Sequence, residues 1–188
     1  MINYKFLDKS IKFYYKKDYN RIEAPWLVSK YINDLTKPVD GSDWLLNGFD
    51  KYLVASGEQS FLYLAIKEIL LKGKYQTITP CFRKDEIDYI HNHYFMKNEL
   101  IHVLKKPLDD MNKIHYQIND LILDSLLFFN SIGFTNLKIE KINDYQFDII
   151  TNNGNELGSY GYRSFPFISY IYGTGIAEPR TSKLLKIQ

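Results

Sequence analysis

The chain has 188 residues, 45% of them hydrophobic and 24% charged, with 16 tyrosines and 12 phenylalanines, a balance that excludes disordered and fibrous classes. Its 24 Lys and Arg against 22 Asp and Glu leave a net charge of +2, too little and too scattered for a bare face that grips nucleic acid. A single cysteine, Cys81, removes disulfide frameworks and every zinc site built on two or more thiolates, and fits a reducing cytoplasm.

In chain order, residues 11–15 read as a strand or a short helix, and residues 22–31 contain an early proline, Pro25, that breaks a helix or sits near its first turn. Residues 52–55 read as a short strand. Residues 57–71 carry Phe61, Leu62, Ala65, Ile66, Ile69 and Leu70 at helical spacing and stop before Gly73. Residues 75–82 alternate as a strand, a polar stretch 83–92 interrupts, and residues 93–104 resume as a strand, giving an antiparallel hairpin with a long loop. Pro107 opens the longest helix, 108–131, which Gly133 ends. Short strands follow at 137–142, 145–151 and 157–162, separated by Asn- and Gly-rich turns. A strand at 167–172 leads into the turn Gly173-Thr174-Gly175, then a terminal helix with Glu178 and Pro179 in its first turn. Sequential hairpins with a few long helices predict an α+β class, an antiparallel β-sheet flanked by helices.

Without repeats or linkers, residues 1–188 read as one domain, and no apolar run approaches the roughly 18 residues that cross a bilayer. Residues 1–10 carry no signal-peptide core, so neither membrane nor secretion is expected. Only four of the 24 cations are arginine, Arg21, Arg83, Arg163 and Arg180. Where lysine meets the ordinary surface needs, arginine marks places that require a planar, bidentate or stacking cation.

Three stretches carry candidate chemistry. On the strand after the polar loop, His93, Phe95, Lys97 and Glu99 share one face, a row able to stack a base, neutralise a phosphate and hold an ammonium; a solvated sheet face with a cross-strand salt bridge is the plainer alternative. Glu156 and Ser159 fall on opposite faces of a regular strand, so both serve one ligand only if the strand bulges near Gly158. The third is Gly173 to Arg180, where glycines permit close backbone approach but match neither a Rossmann nor a Walker pattern. Cys81 reads as a small buried residue and the pair His91 and His93 as structural or exposed.

Taken together, Phe82-Arg83 with the strand 93–100, Glu156-Leu157 followed by Ser159, and Gly173-x-Gly175-x-Ala177-x-x-Arg180-Thr181 resemble motifs 2 and 3 of a class II aminoacyl-tRNA synthetase catalytic core, closest to the seryl-tRNA synthetase branch. Ser56-Gly57-Glu58 is similar to the family's Thr-x-Glu segment in the amino-acid pocket, and residues 22–25 to its proline-ending motif 1 at the dimer interface. The resemblance spans about residues 20–188 and implies a six- or seven-stranded antiparallel sheet that binds bent ATP and joins an amino acid to AMP. It implies that Arg83 holds the α-phosphate, that Asp85 or Glu86 meets the adenine edge, and that Phe95 and Arg180 sandwich the adenine ring. Glu156 and Ser159 would serve magnesium and the phosphates, and Glu58, Lys97 and Glu99 would line the amino-acid pocket.

The sequence also departs from that pattern. Residues 1–20 do not supply the coiled-coil arm that grips tRNA, the loop after Arg83 is short, and Tyr170 and Tyr172 stand where a serine pocket has smaller polar groups. Related arm-less ligases that load carrier proteins hold a zinc partly by cysteines; Glu58 and Tyr172 occupy the matching positions, so no zinc is expected. Three functions remain open: an adenylate-forming ligase, a homodimer with ATP and magnesium, that loads a carrier protein or another non-tRNA acceptor; a non-catalytic paralogue that binds nucleotide, amino acid or a partner protein; and a minimal tRNA-charging enzyme with a separate tRNA-binding subunit.

Overall fold

The computed structural model describes residues 1–37, 43–84 and 86–187. A seven-stranded sheet runs through the molecule in the order β1 (Asn20–Arg21), β5 (Gly73–Phe82), β6 (Tyr94–Val103), β10 (Ile168–Glu178), β9 (Glu156–Phe165), β8 (Gln146–Ile150), β7 (Lys138–Asn143). All pairings are antiparallel except the short β1–β5 contact. A second sheet joins β2 (Leu27–Val28), β4 (Lys51–Leu53) and β3 (Trp44–Leu46). The α+β class and the β5–β6 hairpin are as the sequence predicts, and seven strands fall within the six or seven that the resemblance implies.

Helices close one face of the large sheet. In α1 (Tyr4–Tyr15) the Asn3 side chain caps the Lys5 and Phe6 amides, and Leu7, Ser10 and Tyr14 are buried at helical spacing. In α4 (Met111–Ser131) Asp110 caps Asn112, while Ile114, Ile118, Leu121, Ile122, Ser125, Phe128 and Phe129 form the buried stripe. These stripes meet Leu100, Ile149, Leu157, Tyr160, Ile171 and Ile176 in the main core. Gly133, at φ 114°, ends α4 where an L side chain would be strained.

The other face is covered only in part. There α2 (Lys30–Thr36), α3 (Gly57–Ile66) and the small sheet pack on Ile101, Val103, Ile168, Tyr170 and Tyr172. A Cβ at Gly57 would lie 2.8 Å from both Glu99 Cβ and Thr79 Oγ1, so glycine lets the start of α3 rest directly on β5 and β6. The rest of this face is open.

Four sequence readings need correction. Residues 11–15 belong to the longer helix α1. The helix opening at Gly57 ends at Ile66 because Glu68 turns to φ 57°, so Ile69 to Leu71 fall outside it. Residues 22–31 divide between β2 and the start of α2. Finally, Gly173-Thr174-Gly175 is no turn: β10 runs through it to Glu178, and the terminal helix α5 starts only at Arg180. Glycine is needed there for closeness, since a Cβ on Gly173 would stand 2.6 Å from Tyr160 Cδ1 and 2.7 Å from Leu121 Cδ2. No helix among the described residues is long and apolar enough to cross a membrane.

Candidate active site

The open part of the sheet is a cavity of about 230 Å³, lined by the ends of α2 and α3 and by β6, β8, β9 and β10. Strand alternation explains most of its lining. Phe95, Lys97 and Glu99 project from one face of β6, and Thr174 pairs with Glu99 while Ala177 pairs with Lys97. That register requires an extra residue, Gly175, between Thr174 and Ile176.

A second bulge lies on β9. Ile149 pairs with Gly158 but Ile150 pairs with Glu156, leaving Leu157 as the extra residue. The bulge shifts the alternation by one position and brings Glu156 onto the same face as Ser159. Both therefore line the cavity, meeting the condition stated from the sequence.

At one end stand Arg83, Phe95, Glu156, Ser159 and Arg180. Arg83 donates from Nε to the Ala55 carbonyl at 3.1 Å, and its guanidinium lies 5.2 Å from the Phe95 ring centroid. Among the described residues no carboxylate pairs with it. Arg180 Nη1 donates to Glu156 Oε1 at 3.0 Å. Thus Arg83 is the cation that lies over Phe95, the ring that the resemblance sets opposite Arg180 across an adenine. Gln146 Nε2 donates to Ser159 Oγ at 3.1 Å. Across the strand pair from Ser159, Asp148 has its Oδ1 buried without a hydrogen-bond partner, and burial, with the Glu156 charge behind it, raises its carboxyl above the usual range.

At the other end the charges are arranged in two pairs. Lys97 Nζ lies 2.8 Å from Glu99 Oε1, with side chains only 12% and 2% exposed, and Ser56 donates its hydroxyl to Glu99 Oε2. Glu58 Oε1 accepts from the Tyr170 hydroxyl at 2.7 Å and forms an ion pair with Arg163, whose Nε lies 3.2 Å away. Burial pushes the Glu58 carboxyl upward, opposed by the Arg163 charge and the tyrosine hydrogen bond. The Arg163 guanidinium in turn lies 5.1 Å from the Tyr172 ring centroid.

The cavity thus gathers Glu58, Arg83, Phe95, Lys97, Glu99, Glu156, Ser159 and Arg180. Glu86 is exposed in the loop and does not line it, so the adenine-edge position is not brought to this site by Glu86; Asp85 lies outside the described residues. His93 also leaves the row, its ring 6.1 Å from that of Trp44. Ser56 and Thr174, from stretches the sequence singles out, line the cavity too, and Gln146 and Arg163 line it without having been assigned to it. Arginine scarcity is the one sequence signal that reaches either of the last two, through Arg163.

Oxygen donors at Glu156 and Ser159 are hard ligands of the kind magnesium takes alongside nucleotide phosphates. Among the described residues no three His, Cys, Asp or Glu side chains gather to hold a metal by themselves.

No protein-family model matches the sequence, and no curated protein does. Solved structures do match. Cytoplasmic serine-tRNA ligase from Naegleria fowleri, in complex with AMP, superposes with a TM-score of 0.71 at 21% identity, over 94% of this chain and 51% of that one. Pyrrolysyl-tRNA synthetase from Desulfitobacterium hafniense gives 0.75 at 13% identity, over 98% and 69%. Seryl-tRNA synthetase from Pyrococcus horikoshii, complexed with ATP, gives 0.71 at 14%, over 95% and 48%. The chain spans about half the length of the two serine enzymes.

Proposed function

The chain has the fold of a class II aminoacyl-tRNA synthetase catalytic domain, and from that premise we propose that it activates an amino acid with ATP and passes the aminoacyl group to a carrier-protein thiol or another non-tRNA acceptor. The observation that carries this reading is convergence: two cation-and-ring groups from separate strands and two buried carboxylates from a helix and a strand line one cavity. Neighbours of the same fold are crystallised with AMP and with ATP, which supports a nucleotide in this one.

The chemistry asks little of side chains as acids or bases, because the attacking carboxylate is already ionised at neutral pH. One of its oxygens bonds to the α-phosphorus as the bond to the bridging oxygen of pyrophosphate breaks, and pyrophosphate leaves with the electron pair. In the second step the acceptor thiolate bonds to the carbonyl carbon and AMP leaves. Arg83, the cavity cation without a carboxylate partner among the described residues, would meet the α-phosphate. Phe95 and Arg180 would hold the adenine, Glu99 and Glu58 the α-ammonium, with Lys97 paired to Glu99. Magnesium bound with ATP supplies charge neutralisation at the phosphates, and Glu156 and Ser159 would hold it. A homodimer belongs to the same proposal, through the apolar groove of about 710 Å³ beside Pro25, Trp26 and Leu27.

A second reading, a nucleotide- or amino-acid-binding protein without turnover, is favoured by one observation: Glu156 is already engaged by Arg180, and Arg83 already covers Phe95. Amino-acid-dependent exchange of pyrophosphate into ATP separates the two. Exchange with some amino acid that is lost in Arg83→Ala and Arg180→Ala supports activation; ATP binding without exchange for any of the common amino acids sinks it in favour of the second reading.

A further inference from the structure

Resting on the activation reading, we infer that the amino acid taken by this site has a small, uncharged side chain, and that Tyr172 and the Glu58–Arg163 pair impose the two limits. The cavity has a direction. Along β6, Phe95 marks the nucleotide end and Glu99, four residues on, the amino-acid end, about 13 Å away at strand rise. At about 230 Å³ the cavity is smaller than the roughly 300–1,000 Å³ of ordinary small-molecule sites.

Tyr172 bounds the amino-acid end. It pairs across the strands with Gly161, where a Cβ would come within 2.5 Å of its hydroxyl and 2.6 Å of Cζ, so the ring lies against bare backbone. The Arg163 guanidinium covers the ring from above at 5.1 Å, and Tyr172 is 7% exposed. Clamped between a strand and a cation, this ring is a fixed wall. Any substrate side chain directed toward β9 and β10 meets it.

Charge sets the second limit. Lys97 and Arg163 match Glu99 and Glu58 one for one, each pair in contact and largely buried. A zwitterionic amino acid adds no net charge to this balanced set. A lysine or aspartate side chain adds one in a place where no opposite charge among the described residues is free, and an unpaired buried charge is expensive. Arg83, the unmatched cation, sits beside Phe95 at the nucleotide end.

The test is calorimetric binding of non-hydrolysable aminoacyl-sulfamoyl adenosines carrying glycyl, alanyl, seryl, leucyl, phenylalanyl, aspartyl and lysyl groups, with AMP as reference. The small uncharged members are expected to bind at least about tenfold more tightly than the large or charged ones, the scale on which pockets discriminate by size. In Tyr172→Ala the leucyl-to-alanyl affinity ratio should rise by about tenfold or more, while Tyr172→Phe keeps the wild-type ratio; a ratio within one variant cancels any general weakening. Where Tyr172→Ala fails to fold, the wild-type panel decides. Preference for a large or charged member, or no discrimination among members that all bind more tightly than AMP, overturns the inference and leaves activation standing. If no member binds more tightly than AMP, the activation reading fails with it.

Discussion

The hydroxyl of Tyr170 donates to Glu58 Oε1 at 2.7 Å, tying the start of β10 to the first turn of α3. Both groups are buried, so neither finds water in place of the other. Replacing Tyr170 with Phe leaves a buried carboxylate one donor short, at a cost of about 1–3 kcal/mol. At roughly 2–4 °C per kcal/mol for a chain of this size, thermal unfolding should show a fall of several degrees, and an unchanged midpoint would contradict the bond.

The same carboxylate makes a pH prediction. Burial raises Glu58 in the folded chain above its ordinary value near 4.5. A group raised on folding contributes stability that is fully present below its unfolded value and is lost as pH rises through the folded value. Wild type should therefore lose ground to Glu58→Gln as pH climbs from about 4.5 toward neutrality. Unfolding midpoints of the two proteins across that range check the sign.

At Gly161 the Cβ of an alanine would lie 2.5 Å from the Tyr145 carbonyl oxygen as well as against Tyr172. Backbone on one side and a clamped ring on the other leave no room to give. Gly161→Ala should destabilise by about 1–3 kcal/mol, and denaturant unfolding measures it; a variant as stable as wild type would mean that the ring is not held against the strand.

Arg180 is paired with a Glu156 whose side chain is 44% exposed, so the ion pair itself adds little stability. Its removal is felt in ligand binding. Arg180→Ala should lower ATP affinity by about tenfold, the scale of one lost ring-stacking contact, with a melting temperature close to wild type. Calorimetry on ATP together with a thermal scan distinguishes this from general unfolding.

Cys81 is fully buried beside Phe95 and Ala177, and burial pushes its thiol up to about 11. It should resist thiol-labelling reagents at neutral pH in the folded protein and react once denatured. Rapid native labelling would place it on an accessible surface instead.

Much of this was legible in the sequence, and what was hidden has physical reasons. The α4 stripe, the β5–β6 hairpin and the shared face of Phe95, Lys97 and Glu99 follow from period alone, because each repeats long enough to show itself. The small sheet of two- and three-residue strands has no such length. Gly173 and Gly175 misled as a turn because a glycine that admits a neighbouring ring is indistinguishable in sequence from one that reverses the chain. Arg163 was visible only as a rare residue type; its partner Glu58 lies on α3, more than a hundred positions away, and nothing local announces the pair.

Leu157 and Gly175, the two supernumerary residues of β9 and β10, make the site depend on residue count. Substituting a cavity residue alters one contact. Pairing Leu157 into a regular ladder would instead turn the Glu156 carboxylate toward the hydrophobic side packed against α4, re-aiming an entire strand end with no change in any functional residue. Relatives that keep every charged residue but pair this strand end in another register would carry the same letters around a different cavity.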